Sequence, residues 1–244
     1  MNIEQIPDGP PPSLSVAQRA ARHSALAEPV RLRIVDLLLC SDLSSSELRG
    51  LLGVSSNLLA HHLGVLEKAR LVERRQSEGD RRRSYVRLLP QERRALAYEH
   101  AGTGKTKAPP SQLVFICTGN SARSPFAAAW WNRNAARPTG VPATSAGTKP
   151  AASVPPPAAE TAKGLGIDLS NHDPKPMENV PASSTTIVLC DRAHEALSGV
   201  VEGELHHWSI PNPAGTGTAK AYDLAFREIS ERVDLLAASL RTAQ

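Results

Sequence analysis

The sequence predicts two domains in series: a mainly α helix-turn-helix domain closed by a β-hairpin, then an α/β domain. Three observations carry this. The chain has 244 residues, above the size at which one hydrophobic core is usual. Two hydrophobically patterned segments flank a small, polar stretch, Ala101 to Pro110, with the composition of a linker. The patterning also changes across that stretch, from helical periodicity to a continuous apolar run, Leu113-Val-Phe-Ile116. The expected division is a flexible terminus at 1–14, a first domain at 15–100, a linker at 101–110 and a second domain at 111–244.

Within the first domain, Val30, Ile34, Leu37 and Leu38 share one face of a helix that starts after Pro29. Ser44-Ser-Ser-Glu47 is a capping box, opening a short helix through Leu52. Gly53-Val54 turns the chain, Ser55 caps the next helix, and Leu59, Leu63 and Leu66 line its buried face. Two short helices joined by a glycine-containing turn make a helix-turn-helix. Strands at Leu71–Gln76 and Arg82–Leu88, around a turn at Ser77-Glu-Gly-Asp80, make the hairpin, or wing.

Composition excludes several classes. Hydrophobic residues at 41% and charged residues at 21% fit a globular chain and not a disordered one. No apolar run reaches membrane-spanning length, and Met1 to Pro12 holds no signal-peptide core, so no membrane partner is expected. Cys40, Cys117 and Cys190 cannot build a disulfide framework, which points to a reducing cytoplasm. Aromatics at 4% argue against stacking platforms for single strands. Between Arg70 and Arg94, nine arginines face four acids. Such a patch suits a phosphate backbone, although a merely solvated basic face has the same composition. Gly104-Lys105-Thr106 is not a phosphate-binding P-loop, because Glu99 occupies the position of the required first glycine.

Leu26-Ala-Glu-Pro-Val-Arg-Leu-Arg-Ile34, Ser56-Asn-Leu-Leu-Ala-His-His-Leu-Gly-Val-Leu-Glu-Lys-Ala-Arg-Leu-Val72 and the arginine-rich hairpin resemble the ArsR/SmtB family of winged-helix repressors over about 15–100. The resemblance implies a homodimer through helices near Ser15–Ala27 and Gln91–His100. It also implies double-stranded operator DNA as partner, read by Ser55, Ser56, Asn57 and His61 with Arg81, Arg82 and Arg83 in the wing. Two departures stand out. The family's metalloid-binding cysteine pair is replaced by Asp42-Leu-Ser-Ser-Ser-Glu-Leu48, so thiolate sensing of arsenite there is not expected, and Cys40 reads as a buried small hydrophobe. Arg70 stands where a left-handed glycine cap is usual, at a cost of about 1 kcal/mol. Adjacent His61 and His62 point about 100° apart on a helix and cannot chelate one ion; one faces outward and the other the core.

In the second domain, the apolar strand runs into Cys117-Thr-Gly-Asn-Ser-Ala-Arg123-Ser-Pro125 and then a helix. Strand, small-residue loop and helix N-terminus form an anion cradle from Thr118, Gly119, Asn120, Ser121, Ala122 and Arg123, because backbone N–H groups and the helix dipole converge there. The field favours the Cys117 thiolate. A guanidinium at Arg123 grips two oxygens of a tetrahedral oxyanion, and Ser124 donates to the sulfur.

This loop, with Ser145-Ala-Gly-Thr148, Gly166-Ile-Asp-Leu-Ser-Asn-His172, Ile187-Val-Leu-Cys190 and His207-Trp-Ser-Ile-Pro-Asn-Pro-Ala-Gly215, resembles the low-molecular-weight protein tyrosine phosphatase fold, including its arsenate reductase branch. The resemblance spans about 111–242. It implies a doubly wound, four-stranded parallel sheet with a catalytic Cys117, Arg123 and Ser124, and arsenate or phosphate as the bound oxyanion. The family's acid, an Asp before Pro, is Asn212 here, which cannot transfer a proton. The second cysteine of the intramolecular disulfide relay is Leu197, and Cys190 alone reads as a core residue. No bound cofactor and no metal site is expected; His172, His206 and His207 read as packing residues. Three readings stay open: arsenate reduction with an external thiol, oxyanion sensing without turnover, and tyrosine phosphatase activity weakened by Asn212.

Overall fold

A computed structural model describes residues 15–100, 109–178, 180–201 and 203–241. The expected flexible terminus, 1–14, and all of the expected linker except Pro109 and Pro110 lie outside the described residues.

Local signals set the helix ends. Ser15 caps α1 (Val16–Leu26) in a capping box with Gln18. The Glu28 carboxylate accepts the Val30 and Arg31 N–H groups to cap α2 (Pro29–Cys40), with proline in the first turn, where its missing N–H costs nothing. After β1 (Leu43–Ser44), the Ser44–Glu47 capping box opens α3 (Ser45–Leu52), and Gly53, at φ 65°, closes it. Ser55 caps α4 (Ser56–Lys68), which buries Leu59, Leu63 and Leu66 together with His62. Arg70 adopts the left-handed conformation, φ 57°, while the Leu71 N–H donates to Leu66 O to finish the helix. Strands β2 (Val72–Gln76) and β3 (Ser84–Leu88) pair antiparallel, with β1 on the far side of β3. The second strand starts two residues later than the sequence suggests, because the Arg83 N–H closes the turn onto Asp80 O. Helix α5 (Pro90–His100) follows, tied to α1 by the Arg22–Glu92 ion pair at 2.6 Å.

The second unit alternates strands and helices: β4 (Leu113–Cys117), α6 (Arg123–Asn134), α7 (Ala136–Thr139), β5 (Ala143–Gly147), α8 (Pro156–Gly164), β6 (Thr185–Val188), α9 (Asp191–Leu197), β7 (Glu204–His207), a single 3-10 turn at Pro213–Gly215, and α10 (Ala219–Arg241). All pairings are parallel in the order β5-β4-β6-β7, so β4 is central and every one of its residues is buried. Helices α6 and α10 pack through Phe126 stacked on Phe226 at 4.1 Å, a contact whose truncation to Ala costs about 3–5 kcal/mol. Pro155 caps α8 and Pro156 and Pro157 open it, since proline's fixed φ suits a first helical turn as well as a loop. Among the described residues, no helix is long and apolar enough to cross a membrane.

The two sheets meet across a polar, buried seam. The Asp42 N–H donates to His207 O at 2.7 Å, the His207 N–H to Ser41 Oγ at 2.9 Å, and Trp208 Nε1 to Cys40 O at 3.1 Å. The fully buried Asp42 carboxylate accepts the Ser209 N–H and Arg232 Nη2, with Arg93 beside it. Burial alone would raise its pKa, but the two guanidiniums outweigh that and hold it at about 2. Cys40 is exposed and not the expected core residue, because it is the last residue of α2; its thiol is nevertheless pushed up by desolvation and by the Glu204 and Asp36 carboxylates. His207 has the acidic partner its sequence neighbours do not offer, Asp191 Oδ1 at 3.1 Å, and is wholly buried.

Candidate active site and DNA-binding face

Cys117 is the last residue of the central strand and is buried. Its Sγ lies 3.1 Å from Ser124 Oγ and accepts the Asn120 N–H at 3.3 Å. Ser124 Oγ also donates to Ala146 O at 3.2 Å. A hydroxyl has one proton, so it serves Ala146 while the sulfur is a thiol and the sulfur once it is a thiolate. Helix α6 begins at Arg123 with no side chain capping its first turn, which leaves its N–H groups for an anion.

Asn120 holds the loop in shape. It is fully buried at φ 47°, a conformation Asn tolerates better than most residues. Its Nδ2 donates to Ser124 Oγ and to Ser145 Oγ, both at 3.0 Å, while its Oδ1 accepts the Lys175 N–H at 2.9 Å. His172 Nε2 lies 2.9 Å from its carbonyl oxygen. The carbonyls of Cys117, Thr118 and Gly119 are each pinned by backbone N–H groups of 148–151. Gly147 makes that approach possible: a Cβ there would sit 2.8 Å from Thr118 O and 3.0 Å from Asn120 Cβ. Thr118 Oγ1 lies 3.4 Å from the buried Cys190 Sγ, and burial is the main cause raising that thiol.

Arg123, nearly buried, donates through Nη1 to Ile210 O at 2.9 Å and through Nη2 to Asn212 Oδ1 at 3.4 Å. Of its five N–H donors two thus go to the 210–212 loop, and the remainder are left for an oxyanion. The structure brings Cys117, Arg123, Ser124 and Asn212 to one place, and Thr118, Gly119, Ser121 and Ala122 belong to the loop that joins Cys117 to Arg123. The part played by Asn120, and the loop's attachment to His172 and Lys175, had no sequence signal beyond a small polar residue in a loop.

The residues expected to meet DNA are all exposed. Ser55, Ser56, Asn57 and His61 are exposed along the first two turns of α4. Arg49 Nη1 donates to Ser56 Oγ at 2.7 Å, bridging the two helices. Arg81, Arg82 and Arg83 are exposed at the wing tip, with Arg82 bidentate to Asp80 at 2.9 Å. His61 points outward while His62 is buried beside Glu28.

A winged helix-turn-helix is therefore joined to a parallel-sheet domain with a cysteine–arginine loop at the end of its central strand. Residues 112–244 match the family model of low molecular weight phosphotyrosine protein phosphatases, and residues 28–74 match that of bacterial regulatory proteins of the arsR family. The chain belongs to the low-molecular-weight phosphatase family, with an arsR-type helix-turn-helix ahead of it. It is 36% identical over 108 residues to an arsenate reductase of Staphylococcus aureus (strain bovine RF122 / ET3-1), covering 42% of this chain and 79% of that protein. Among solved structures, a YwlE mutant from Bacillus subtilis aligns with 52% of this chain and 95% of its own, at 22% identity and a TM-score of 0.45. HlyU from Vibrio cholerae N16961 aligns with 34% of this chain and 89% of its own, at 27% identity and a TM-score of 0.31.

Proposed function

We propose that this protein is a cytoplasmic, dimeric DNA-binding repressor whose second domain reduces arsenate with an external thiol. The observation that carries the enzymatic part is the Cys117 sulfur, held between Ser124 Oγ and the Asn120 N–H at the mouth of an uncapped helix that begins with Arg123. The Cys117 thiolate attacks arsenic, and one arsenate oxygen leaves as water with protons the substrate itself carries. A thiol then attacks the Cys117 sulfur. The S–As electron pair stays with arsenic, which departs as arsenite, and a mixed disulfide remains. A second thiol frees Cys117 and leaves as the disulfide of the donor.

Asn212 favours this substrate over phosphomonoesters. An aryl or alkyl oxide needs a proton from a nearby acid as it leaves, and an amide supplies none. A tyrosine phosphatase is accordingly the weakest of the three readings. DNA binding is assigned to Ser55, Ser56, Asn57 and His61 in the major groove with Arg81, Arg82 and Arg83 on the phosphates. The dimer is assigned to α1 and α5; Val16, a large apolar side chain exposed on α1, supports a second copy covering that helix.

The test is arsenate turnover with several thiol donors, wild type beside Cys117→Ser. Turnover in the wild type that disappears in the variant is expected. No turnover in either, with arsenate or phosphate still slowing alkylation at Cys117, selects oxyanion sensing instead.

A further inference from the structure

The wing turn of the DNA-binding domain ends on the shoulder of the oxyanion cradle. Both carboxylate oxygens of Glu78 accept the Asn212 N–H, at 2.9 and 3.1 Å. Glu78 is itself held at three more points: its N–H donates to Asp191 Oδ2 at 2.9 Å, its carbonyl accepts Arg192 Nε at 3.1 Å, and its carboxylate pairs with Arg75 Nη2 at 3.5 Å. On either side, Ser77 Oγ and the Asp80 N–H donate to Glu195 at 2.7 and 2.8 Å. The turn lies flush against α9: a Cβ on Gly79 would land on the Glu195 carboxylate and 3.3 Å from the Arg192 Cα.

These contacts fall on the two segments that close the cradle. Asp191 follows Cys190, whose sulfur touches Thr118 of the loop. Asn212 carries the oxygen facing Arg123 Nη2, and Ile210, two residues back, takes Nη1. From the wing, polar contacts link Asp80 and Ser77 through Glu195, the peptide bond carries on from Ser77 to Glu78, and polar contacts continue to Asn212 and Arg123.

We propose that Glu78 is a positioning residue of the oxyanion site, contributed by the DNA-binding domain, and that it couples oxyanion affinity at Cys117–Arg123 to DNA affinity at the wing. This rests on the reading of the cradle as an oxyanion site. The physical basis is that the same few residues have two sets of partners. Arg82 and Arg83 now pair with Asp80 at 2.9 and 3.7 Å, and DNA phosphates compete for both guanidiniums. Asp80 and Ser77 hold the turn on Glu195, so releasing the arginines disturbs the seat of Glu78. At the other end, an oxyanion competes with Ile210 O and Asn212 Oδ1 for Arg123. Each ligand therefore changes the groups that the other must displace, and linkage makes the two effects equal.

The experiment uses the full chain, inorganic phosphate as the anion, and a mixed-sequence duplex of about 30 base pairs at low salt, where phosphate contacts alone give binding. Phosphate affinity is measured by calorimetry with and without duplex, and duplex affinity with and without phosphate. Site-resolved alkylation of Cys117 reports cradle occupancy independently. In the wild type, each ligand is expected to change the affinity of the other by the same factor, about fivefold or more. Glu78→Ala should weaken phosphate binding about threefold to tenfold, the value of one lost hydrogen bond, and bring the coupling factor to one. Glu78→Gln, which keeps an oxygen for the Asn212 N–H, should restore most of both, while Glu78→Met, of similar size but with no oxygen, should behave as Glu78→Ala, an outcome a general packing role does not give. Phosphate that binds the wild type and protects Cys117 but ignores the duplex overturns the proposal and leaves the oxyanion site standing. So does coupling that survives in Glu78→Ala. Phosphate that neither binds nor protects Cys117 overturns the reading of the site, and this proposal with it.

Discussion

At position 212 an amide stands where a phosphatase of this family carries a carboxylic acid, and its surroundings keep it at the cradle. Its side-chain oxygen faces Arg123 and its N–H is held by Glu78. If only the proton donor is missing, Asn212→Asp should raise hydrolysis of aryl phosphates, by tenfold or more on the order of what general acids supply. The gain should be larger for phenyl phosphate than for a nitrophenyl ester, whose leaving group hardly needs the proton. Steady-state rates on both esters decide it, and no rise on either would place the defect in loop geometry. Oxyanion affinity should fall slightly, since the new carboxylate competes for Arg123. At this scale the make-up of the loop from Cys117 to Ser124 was legible because its groups are contiguous: a strand end, five small or polar residues and an arginine, which the family resemblance reads as an anion cradle. Asn120 was legible only as a member. Its role comes from a left-handed backbone and from Ser145, His172 and Lys175, which sequence distance hides.

The elements follow from local chemistry wherever a cap or a period specifies them. Capping boxes at Ser15 and Ser44, the Ser55 cap and the left-handed Gly53 each satisfy backbone groups within four residues of themselves, so no tertiary information is needed. Pro155 to Pro157 show the limit: their fixed φ fits a loop and a first helical turn equally, and packing of Ala158 and Ala162 into the core selects the helix. The wing is the element whose role is most open to measurement. Replacing Arg81, Arg82 and Arg83 together by Ala should lower the slope of log affinity against log salt by up to about 3, since each lost phosphate contact removes roughly 0.9. An unchanged slope would take the wing out of the interface. The Arg82 and Arg83 pairs with Asp80 argue for a fall smaller than that limit, because arginines already neutralised release fewer counterions.

Across the whole molecule, the seam around Asp42 joins the two units. Its carboxyl sits at about 2 in the folded chain against 3.8 as an ordinary Asp, so the folded state prefers it ionised. That preference contributes about 2 kcal/mol of stability, present in full above about pH 5 and lost as the pH falls through the folded value. Urea unfolding of wild type and Asp42→Asn, compared from about pH 6 down to about pH 2, should show the gap between them narrowing by that amount; a constant gap would mean Asp42 is not the linked group. The variant should also be less stable at neutral pH, because Arg93 loses its carboxylate and the buried Arg232 keeps only Glu228. What the sequence determined by itself is the family of both units, through contiguous motifs, and the make-up of the Cys117 loop, because caps, periods and contiguous residues act over one or two turns of chain. The tertiary structure alone decided that Asp42 meets Arg232, that His207 meets Asp191, and that Glu78 reaches Asn212. These pairs are separated by 16 to 190 positions. Charge and hydrogen-bond complementarity at such separations depends on how two folded surfaces lie together, and no local pattern encodes it.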